Sequence, residues 1–224
     1  AVVKELINAG HQVLGLARNE AAAKALLLAG AEVHRGDLED LESLRQGANA
    51  ADGIIHLGFI HDFTRFKAVC EIDRIAIETI GNTLVGTNRP FIVTSGTLIV
   101  SPGQLATEDK LPDYGGQNPR IASEKAVDAL AAKNVCVSVV RLSPSVHGEG
   151  DFHGFVPTLI EIARRTGSSA YIGEGKNRWT AVHRLDAAVL FRLALEQASP
   201  GARFHGVAEE SIEIKTLAEA IGKQ

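Results

Sequence analysis

Several side chains that could act as acids, bases or hydrogen-bonding groups follow apolar, strand-like runs of the sequence. Thr94, Ser95 and Thr97 bring three hydroxyls to the end of one such run, and His147 follows the next in a glycine-rich segment. An imidazole with its ordinary pKa of about 6.5 suits proton transfer, although a lone histidine in such a segment is also a common structural hydrogen-bonding group. The ends of strands in open α/β sheets are where ligands bind, so these residues predict a site at that edge.

A second group consists of charged residues around the start of a predicted helix. Arg120 and Glu124 are four positions apart, and Lys125 follows directly. This spacing predicts an ion pair on the helix surface, worth about 0.3–0.5 kcal/mol. A guanidinium stays protonated at physiological pH, so Arg120 cannot exchange a proton in a reaction.

The elements that must position these groups alternate regularly along the chain. Strand-like runs cover residues 11–17, 31–35, 52–57, 90–95 and 135–142, and helical patterns cover residues 20–29, 41–46, 63–84 and 123–133. This alternation predicts a doubly wound, Rossmann-like parallel sheet with helices on both faces. Residues 1–143 are predicted to form this core, and residues 144–224 mainly a small substrate-side lobe packed with it as one domain.

The sequence opens inside a predicted helix. Val2, Val3, Leu6 and Ile7 form one apolar stripe, and Gly10 suits a left-handed helix end. The strand at residues 11–17 would then be the second of a βαβ unit, so we expect the first strand and its glycine-rich phosphate turn to be missing. On this interpretation the chain alone binds a dinucleotide poorly or not at all.

Composition restricts the class of protein. The chain of 224 residues is 45% hydrophobic and 22% charged with a formal net charge of -4, which gives no basic surface for nucleic acid or anionic membrane. The sequence contains neither an apolar run of membrane-spanning length nor a signal peptide pattern. Cys70 and Cys136 lack metal-type spacing, so we expect free thiols, no metal and a cytoplasmic location. The expected partner is a small-molecule substrate, with a homodimer left open.

Short motifs follow the predicted strands in an order that resembles the extended or atypical short-chain dehydrogenase/reductase superfamily, known as NAD-dependent epimerase/dehydratase proteins. They are LARN at residues 16–19, GDL at 36–38, HLG at 56–58, TSG at 94–96, RLSPSVHG at 141–148 and VHRLD at 182–186. Each motif alone is weak, but their common order and spacing cover nearly the whole chain. The resemblance implies a nicotinamide dinucleotide cofactor.

The resemblance also assigns cofactor contacts. Arg18 stands where NAD-binding proteins carry an acidic residue, and a guanidinium can hold a 2′-phosphate, so NADP is favoured over NAD. Arg18 as a solvated loop residue and Asp37 as a turn or N-cap residue are the alternatives. The remaining expected contacts are Asp37 and Leu38 at the adenine, Leu57, Gly58 and Phe59 after the next strand, and Thr94, Ser95, Pro144, Ser145 and Val146 toward the nicotinamide.

The catalytic residues that the resemblance implies are only partly present. Ser95, with Thr97 as an alternative, matches the family's hydroxyl, but Arg120 and Glu124 stand where the family has its Tyr-x-x-x-Lys pair. Either these two form a plain helical ion pair, or Lys125 reaches the ribose while another group transfers the proton, or the protein performs no chemistry. The proton-transfer candidates are Tyr114 and His147, and Asp73 lies near the position of a family asparagine.

Trp179 bears on the substrate. It stands where nucleotide-sugar members of the family have an arginine that binds the diphosphate, which argues for a smaller or less charged substrate; simple packing is the alternative. The sequence therefore predicts an NADP(H)-dependent oxidoreductase acting on a small carbonyl or alcohol. The alternative is a non-catalytic dinucleotide-binding sensor on the same fold.

Overall fold

A computed structural model describes residues 1–100, 103, 105–197 and 199–223. Its largest sheet is parallel and has the strand order β3-β4-β5-β8, while β1 and β2 form a separate parallel pair and β6, β7 and β9 form a third sheet. The strands are β1 Leu14–Ala17, β2 Glu32–Arg35, β3 Ile54–His56, β4 Phe91–Gly96, β5 Val137–Leu142, β6 Ser145–His147, β7 Arg178–His183, β8 Arg203–Gly206 and β9 Glu209–Glu213. The predicted α/β class with a parallel sheet is confirmed.

Helices connect the parallel strands. They are α1 Val2–Asn8, α2 Glu20–Leu28, α3 Leu41–Asn49, α4 Phe66–Thr83, α5 Ile121–Ala131, α6 Phe155–Thr166, α7 Arg184–Gln197 and α8 Ile214–Gly222. Asn19 and Asp40 cap α2 and α3 with side-chain oxygens that accept backbone N–H groups. Gly10 and Gly30 follow α1 and α2 with positive φ, as their positions predict. No helix among the described ranges is long and apolar enough to cross a membrane.

The two faces of the main sheet carry different cores. Phe91 and Val93 pack with α4 and α5 on one face, whereas Ile92 and Val140 pack with Phe191 of α7 on the other. Burial on both faces explains why β4 and β5 read as nearly continuous apolar runs. The edge strand β8 lies in the segment expected to be mainly lobe, yet it pairs with β5 in the main sheet.

The β1-β2 pair is not joined to the main sheet. In the part of the chain described, β1 does not pair with β3, the edge strand of the main sheet. A cavity of about 1160 Å³ separates them and is lined by residues of both strands and by α1 and α3. We call this cavity the cleft. It places the carboxyl ends of β1, β2 and β3 around one space.

Candidate functional site

Six of the predicted cofactor contacts line the cleft together. Each follows the carboxyl end of β1, β2 or β3, as expected for a ligand site in an open α/β sheet. They are Arg18, Asp37, Leu38, Leu57, Gly58 and Phe59. The structure thus brings together residues that are up to 41 positions apart in sequence.

The charged members of this group differ in how they are engaged. Arg18 is exposed, and no hydrogen bond or ion pair to another described residue holds its guanidinium. Arg35, by contrast, pairs with Glu20 at 2.7 Å. The Asp37 carboxylate accepts the backbone N–H of Glu39 at 3.0 Å, which makes it a turn residue at the cleft wall. Arg18 therefore has its charge free for a ligand.

The apolar wall of the cleft depends on a small residue after β3. A Cβ built at Gly58 would lie 3.0 Å from Leu38 Cδ2, so a larger residue would push Leu38 out of place. Leu57, 43% exposed, extends the apolar wall. An apolar wall beside a free guanidinium can accept a ligand that carries both an apolar ring and an anionic group.

Arg120 stands at the edge of this cleft. Its guanidinium carbon lies 4.6 Å from the centre of the Phe59 ring, which lines the cleft. Arg120 Nη2 donates to the Thr94 backbone oxygen at 2.8 Å, and Nη1 bonds to Asp73 and Ser123. Stacking on an aromatic face and hydrogen bonds to three partners fix the position of the guanidinium.

Asp73 on α4 is the anchor of this arrangement and is only 1% exposed. Its carboxylate receives the Ser123 hydroxyl at 2.6 Å and lies 2.8 Å from His56 Nε2. Burial alone would raise the pKa of Asp73, but the hydrogen bond from His56 and the charge of Arg120 outweigh it and hold the pKa below its ordinary value. Asp73 is therefore a buried anion that holds a cation at the cleft.

Glu124, one turn further along α5, belongs to a different network. It makes two 2.8 Å bonds to Arg141 of β5, and neither side chain is exposed to solvent. Arg203 of β8 adds a 3.0 Å bond to Glu124 and a 2.5 Å bond to Asp128. Burial would raise the pKa of Glu124, but the hydrogen bond and charge of Arg141 and the hydrogen bond of Arg203 hold it below its ordinary value.

These two networks correct one expectation. Arg120 and Glu124 do not pair with each other across a helical turn, because Arg120 binds Asp73 and Glu124 binds Arg141. The interior offers each of them a fully buried partner, and a desolvated ion pair is electrostatically stronger than an exposed one. The two residues that stand at the family's Tyr-x-x-x-Lys positions therefore both form ion pairs with buried side chains.

Ser95 keeps an unsatisfied hydroxyl. The residue is 5% exposed and contributes to lowering the pKa of Glu124, yet its Oγ has no hydrogen-bond partner of good geometry. Thr97, the alternative hydroxyl, is also buried and begins a short 3-10 turn. A buried hydroxyl without a well-formed hydrogen bond is uncommon, and this one lies near the carboxyl end of β4 beside Glu124.

Tyr114 and Lys125 lie together away from the residues that line the cleft. The Tyr114 hydroxyl donates to Asp128, and burial, that hydrogen bond and the charge of Asp128 raise the pKa of Tyr114 to about 12. Lys125 is exposed, with Nζ 6.0 Å from the centre of the Tyr114 ring. Neither is among the residues that surround the cleft.

Leu57 lies between the cleft and β6. Val146 and Leu57 line a smaller cavity of about 280 Å³, and Leu57 also lines the cleft. Pro144 is half-buried and Ser145 buried. His147 stacks edge-on against His183 at 5.5 Å and lies 3.6 Å from Glu209.

The roles of Asp73, His56 and Arg141 in these networks were not predicted. Asp73 was expected only as a departure from a family asparagine, and His56 and Arg141 only as members of the motifs at residues 56–58 and 141–148. A usable signal was the single charge of Arg141 in the apolar run of β5, since a fully buried arginine requires an anion.

Both cysteines are free, as expected. No group of three metal-ligating side chains occurs in the described part of the chain.

Comparison with known proteins gives the family. A profile of the NAD dependent epimerase/dehydratase family matches residues 1–206. The protein YLL056C of Saccharomyces cerevisiae is 47% identical over 225 residues, covering 100% of this chain and 75% of that protein. A 2-alkyl-3-oxoalkanoate reductase of Stenotrophomonas maltophilia is 30% identical over 222 residues, covering 93% of this chain and 65% of that enzyme.

A solved structure supports the fold. The dTDP-glucose 4,6-dehydratase of Bacillus anthracis, determined in complex with NAD, matches with a TM-score of 0.78 at 12% identity, covering 98% of this chain and 75% of that one. The extent of the family match, rather than this distant likeness, identifies the chain. It belongs to the NAD-dependent epimerase/dehydratase family of the extended short-chain dehydrogenase/reductase superfamily.

Proposed function

We propose that the protein is an NADP(H)-dependent oxidoreductase that interconverts a carbonyl and an alcohol on a small substrate. The observation that carries this proposal is the free guanidinium of Arg18 at the end of β1, in a cleft whose apolar wall includes Leu38. Family membership supports a nicotinamide cofactor, and the relative from Stenotrophomonas maltophilia is named as a reductase.

Different residues of the cleft would contact different parts of the cofactor. Arg18 binds the 2′-phosphate by charge-assisted hydrogen bonds, while Leu38 and Gly58 border the adenine. Ser145 and Val146 border the nicotinamide end, which Leu57 connects to the cleft. When bound, the nicotinamide supplies or accepts the hydride.

The substrate oxygen would be held at the end of β4. The unsatisfied Ser95 hydroxyl donates to it, and Arg120, held by Asp73, stabilises negative charge that develops there. Because Arg120 keeps its proton, another group must supply the one that completes an alcohol. We assign that role to His147 rather than to Tyr114, whose hydroxyl is bound to Asp128 and whose pKa is raised to about 12.

Binding and turnover assays of the protein as the cell makes it test this proposal. We expect NADPH to bind more tightly than NADH and to be oxidised in the presence of at least one member of a panel of small ketones, aldehydes and keto esters. Failure of both dinucleotides to bind would contradict the proposal. Preferential binding of NADH would contradict the choice of NADP.

A second candidate function is a dinucleotide-binding sensor without turnover. The observation that favours it is that Arg120 and Glu124, which stand at the family's catalytic positions, are both engaged in ion pairs with interior residues. Tight binding of NADPH with no oxidation across the whole panel would support the sensor and contradict the oxidoreductase.

The strand and glycine-rich turn expected from the sequence stay a prediction, as do the homodimer and the cytoplasmic location. What supports the strand is that β1 and β3 face the same cleft without pairing with each other. A parallel strand between them would fill the inner part of the cleft and bring its terminal turn to the edge where Arg18 lies, so the dinucleotide would lie at the carboxyl-end rim of the cleft. Weaker dinucleotide binding by residues 1–224 alone than by the protein with its natural flanking residues is the expected result.

A further inference from the structure

An aromatic pair lies outside both cores of the molecule. The rings of Trp179 on β7 and Phe155 at the start of α6 meet edge to face, with centroids 4.1 Å apart and planes at 88°. Phe155 is 47% exposed and Trp179 is half-buried. The pair therefore presents ordered apolar surface to solvent instead of filling the interior.

Strand register places this pair near the proposed reaction site. β6 and β7 are parallel, with Ser145 opposite Ala181. Trp179 precedes Ala181 by two positions and therefore lies on the strand that pairs with Ser145. Ser145 follows the last residue of β5 by three positions and is one of the residues proposed to border the nicotinamide end.

The charges around the pair are acidic or already neutralised. Arg178, next to Trp179, pairs with Glu213. The Asp151 carboxylate accepts the Gly154 N–H at 2.9 Å beside the start of α6. A phosphate placed here would meet carboxylates and no unpaired arginine of β6, β7 or β9, so the surroundings disfavour an anion.

We propose that Phe155 and Trp179 form a wall for an uncharged, apolar group of the substrate, such as an alkyl chain next to the reacting carbonyl. The inference rests on the proposed function for the reaction, but the binding it asserts is independent of turnover. It makes the substrate a neutral apolar carbonyl compound rather than a nucleotide sugar.

The experiment uses Trp179 as its own reporter, because it is the single tryptophan of the chain. The natural protein with NADPH present is titrated with 2-decanone and, separately, with UDP-glucose, while tryptophan emission is recorded. We expect a saturable change with 2-decanone and none with UDP-glucose. Phe155→Ala should weaken 2-decanone binding roughly five- to ten-fold. Phe152→Ala should leave it unchanged, because this residue is 78% exposed and makes no ring contact with Trp179 among the described residues.

The outcomes separate this inference from the proposed function. A saturable response without oxidation of NADPH supports the wall and contradicts the oxidoreductase. Oxidation of NADPH by small ketones without a response of Trp179 supports the oxidoreductase and overturns the wall. A response to UDP-glucose alone, or equal losses in the two alanine variants, also overturns it. Far-ultraviolet circular dichroism of both variants verifies that they are folded.

Discussion

The exposed charge of Arg18 at the cleft contrasts with the ion pairs along the buried face of α5. At the cleft, Arg18 is exposed and has no partner among the described residues. Along α5, Glu124 and Arg141 form two bonds with neither side chain exposed, and Arg120 binds the buried Asp73. A charge without a partner is available to a ligand, whereas a buried pair that loses one member leaves a costly unpaired charge.

This difference separates the two parts of the proposed site. The residues that resemble cofactor contacts line open space, while those at the family's proton-transfer positions have been taken into the interior. Arg120 lies between these extremes, since its side chain is 15% exposed and stacks on Phe59 at the cleft. Cofactor binding and protein stability should therefore respond to different substitutions.

The largest expected loss of stability follows from Glu124→Gln. This change leaves Arg141 buried without its anion, and we expect the free energy of unfolding to fall by about 3–5 kcal/mol. Urea unfolding monitored by circular dichroism measures it. Glu71→Gln on α4 is the matched control, because its 53% exposed side chain pairs with Arg74 and should contribute less than about 1 kcal/mol. Equal losses in the two variants would show that the Glu124 network does not stabilise the fold.

Arg120→Met should cost less, about 2 kcal/mol, because Asp73 keeps its bonds to His56 and Ser123. Arg65→Met serves as the control, since its exposed pair with Asp62 should contribute little. The same urea unfolding experiment applies. A loss as large as that of Glu124→Gln would remove the distinction between the two positions.

Acid should weaken the interior networks selectively. The pKa values of Glu124 and Asp73 lie below their ordinary values of 4.5 and 3.8 in the folded state. A carboxyl with a lowered folded pKa stabilises fully above its unfolded pKa and loses that contribution as pH falls through the folded pKa. We expect unfolding free energies measured from about pH 7 to about pH 3 to fall below about pH 4.5, and to fall less steeply in Glu124→Gln. The same decrease of unfolding free energy at low pH in Glu124→Gln and in the unchanged protein would contradict the view that Glu124 is a stabilising buried anion.

The smallest expected effect comes from Tyr114→Phe. The partner Asp128 is 43% exposed, so the lost bond should cost at most about 1 kcal/mol. Burial and Asp128 raise the folded pKa of Tyr114 to about 12 from 10, so its contribution is present below pH 10 and lost as pH rises toward 12. Alkaline unfolding should therefore begin with a shallower decline in the variant, and an unchanged alkaline limb would argue that Tyr114 is not coupled to Asp128.

The sheet could be predicted from the sequence because its signals are local. Continuous apolar runs such as β4 and β5 identify buried parallel strands, and Gly10 and Gly30 identify helix ends. The position of Arg18 after β1 followed from the same alternation. These signals need no knowledge of distant partners.

The charge partners could not be predicted because they are non-local. Arg120 meets Asp73 across 47 positions and Glu124 meets Arg203 across 79, so their i,i+4 spacing alone suggested a pair that the tertiary structure replaces. Tyr114 likewise finds Asp128 only when its loop folds over α5. Burial decides such pairings, and burial depends on the packed fold.

The dissociation constants of NADPH and NADH for Arg18→Gln in the natural protein test the central claim most directly. Arg35→Gln is the matched control, because Arg35 pairs with Glu20 and does not line the cleft. We predict that Arg18→Gln weakens NADPH roughly 10- to 100-fold and NADH less than about two-fold, since only NADPH carries the 2′-phosphate. Arg35→Gln should alter neither constant. Equal weakening of both dinucleotides by Arg18→Gln, or none, would contradict the assignment of the cleft as an NADP(H) site.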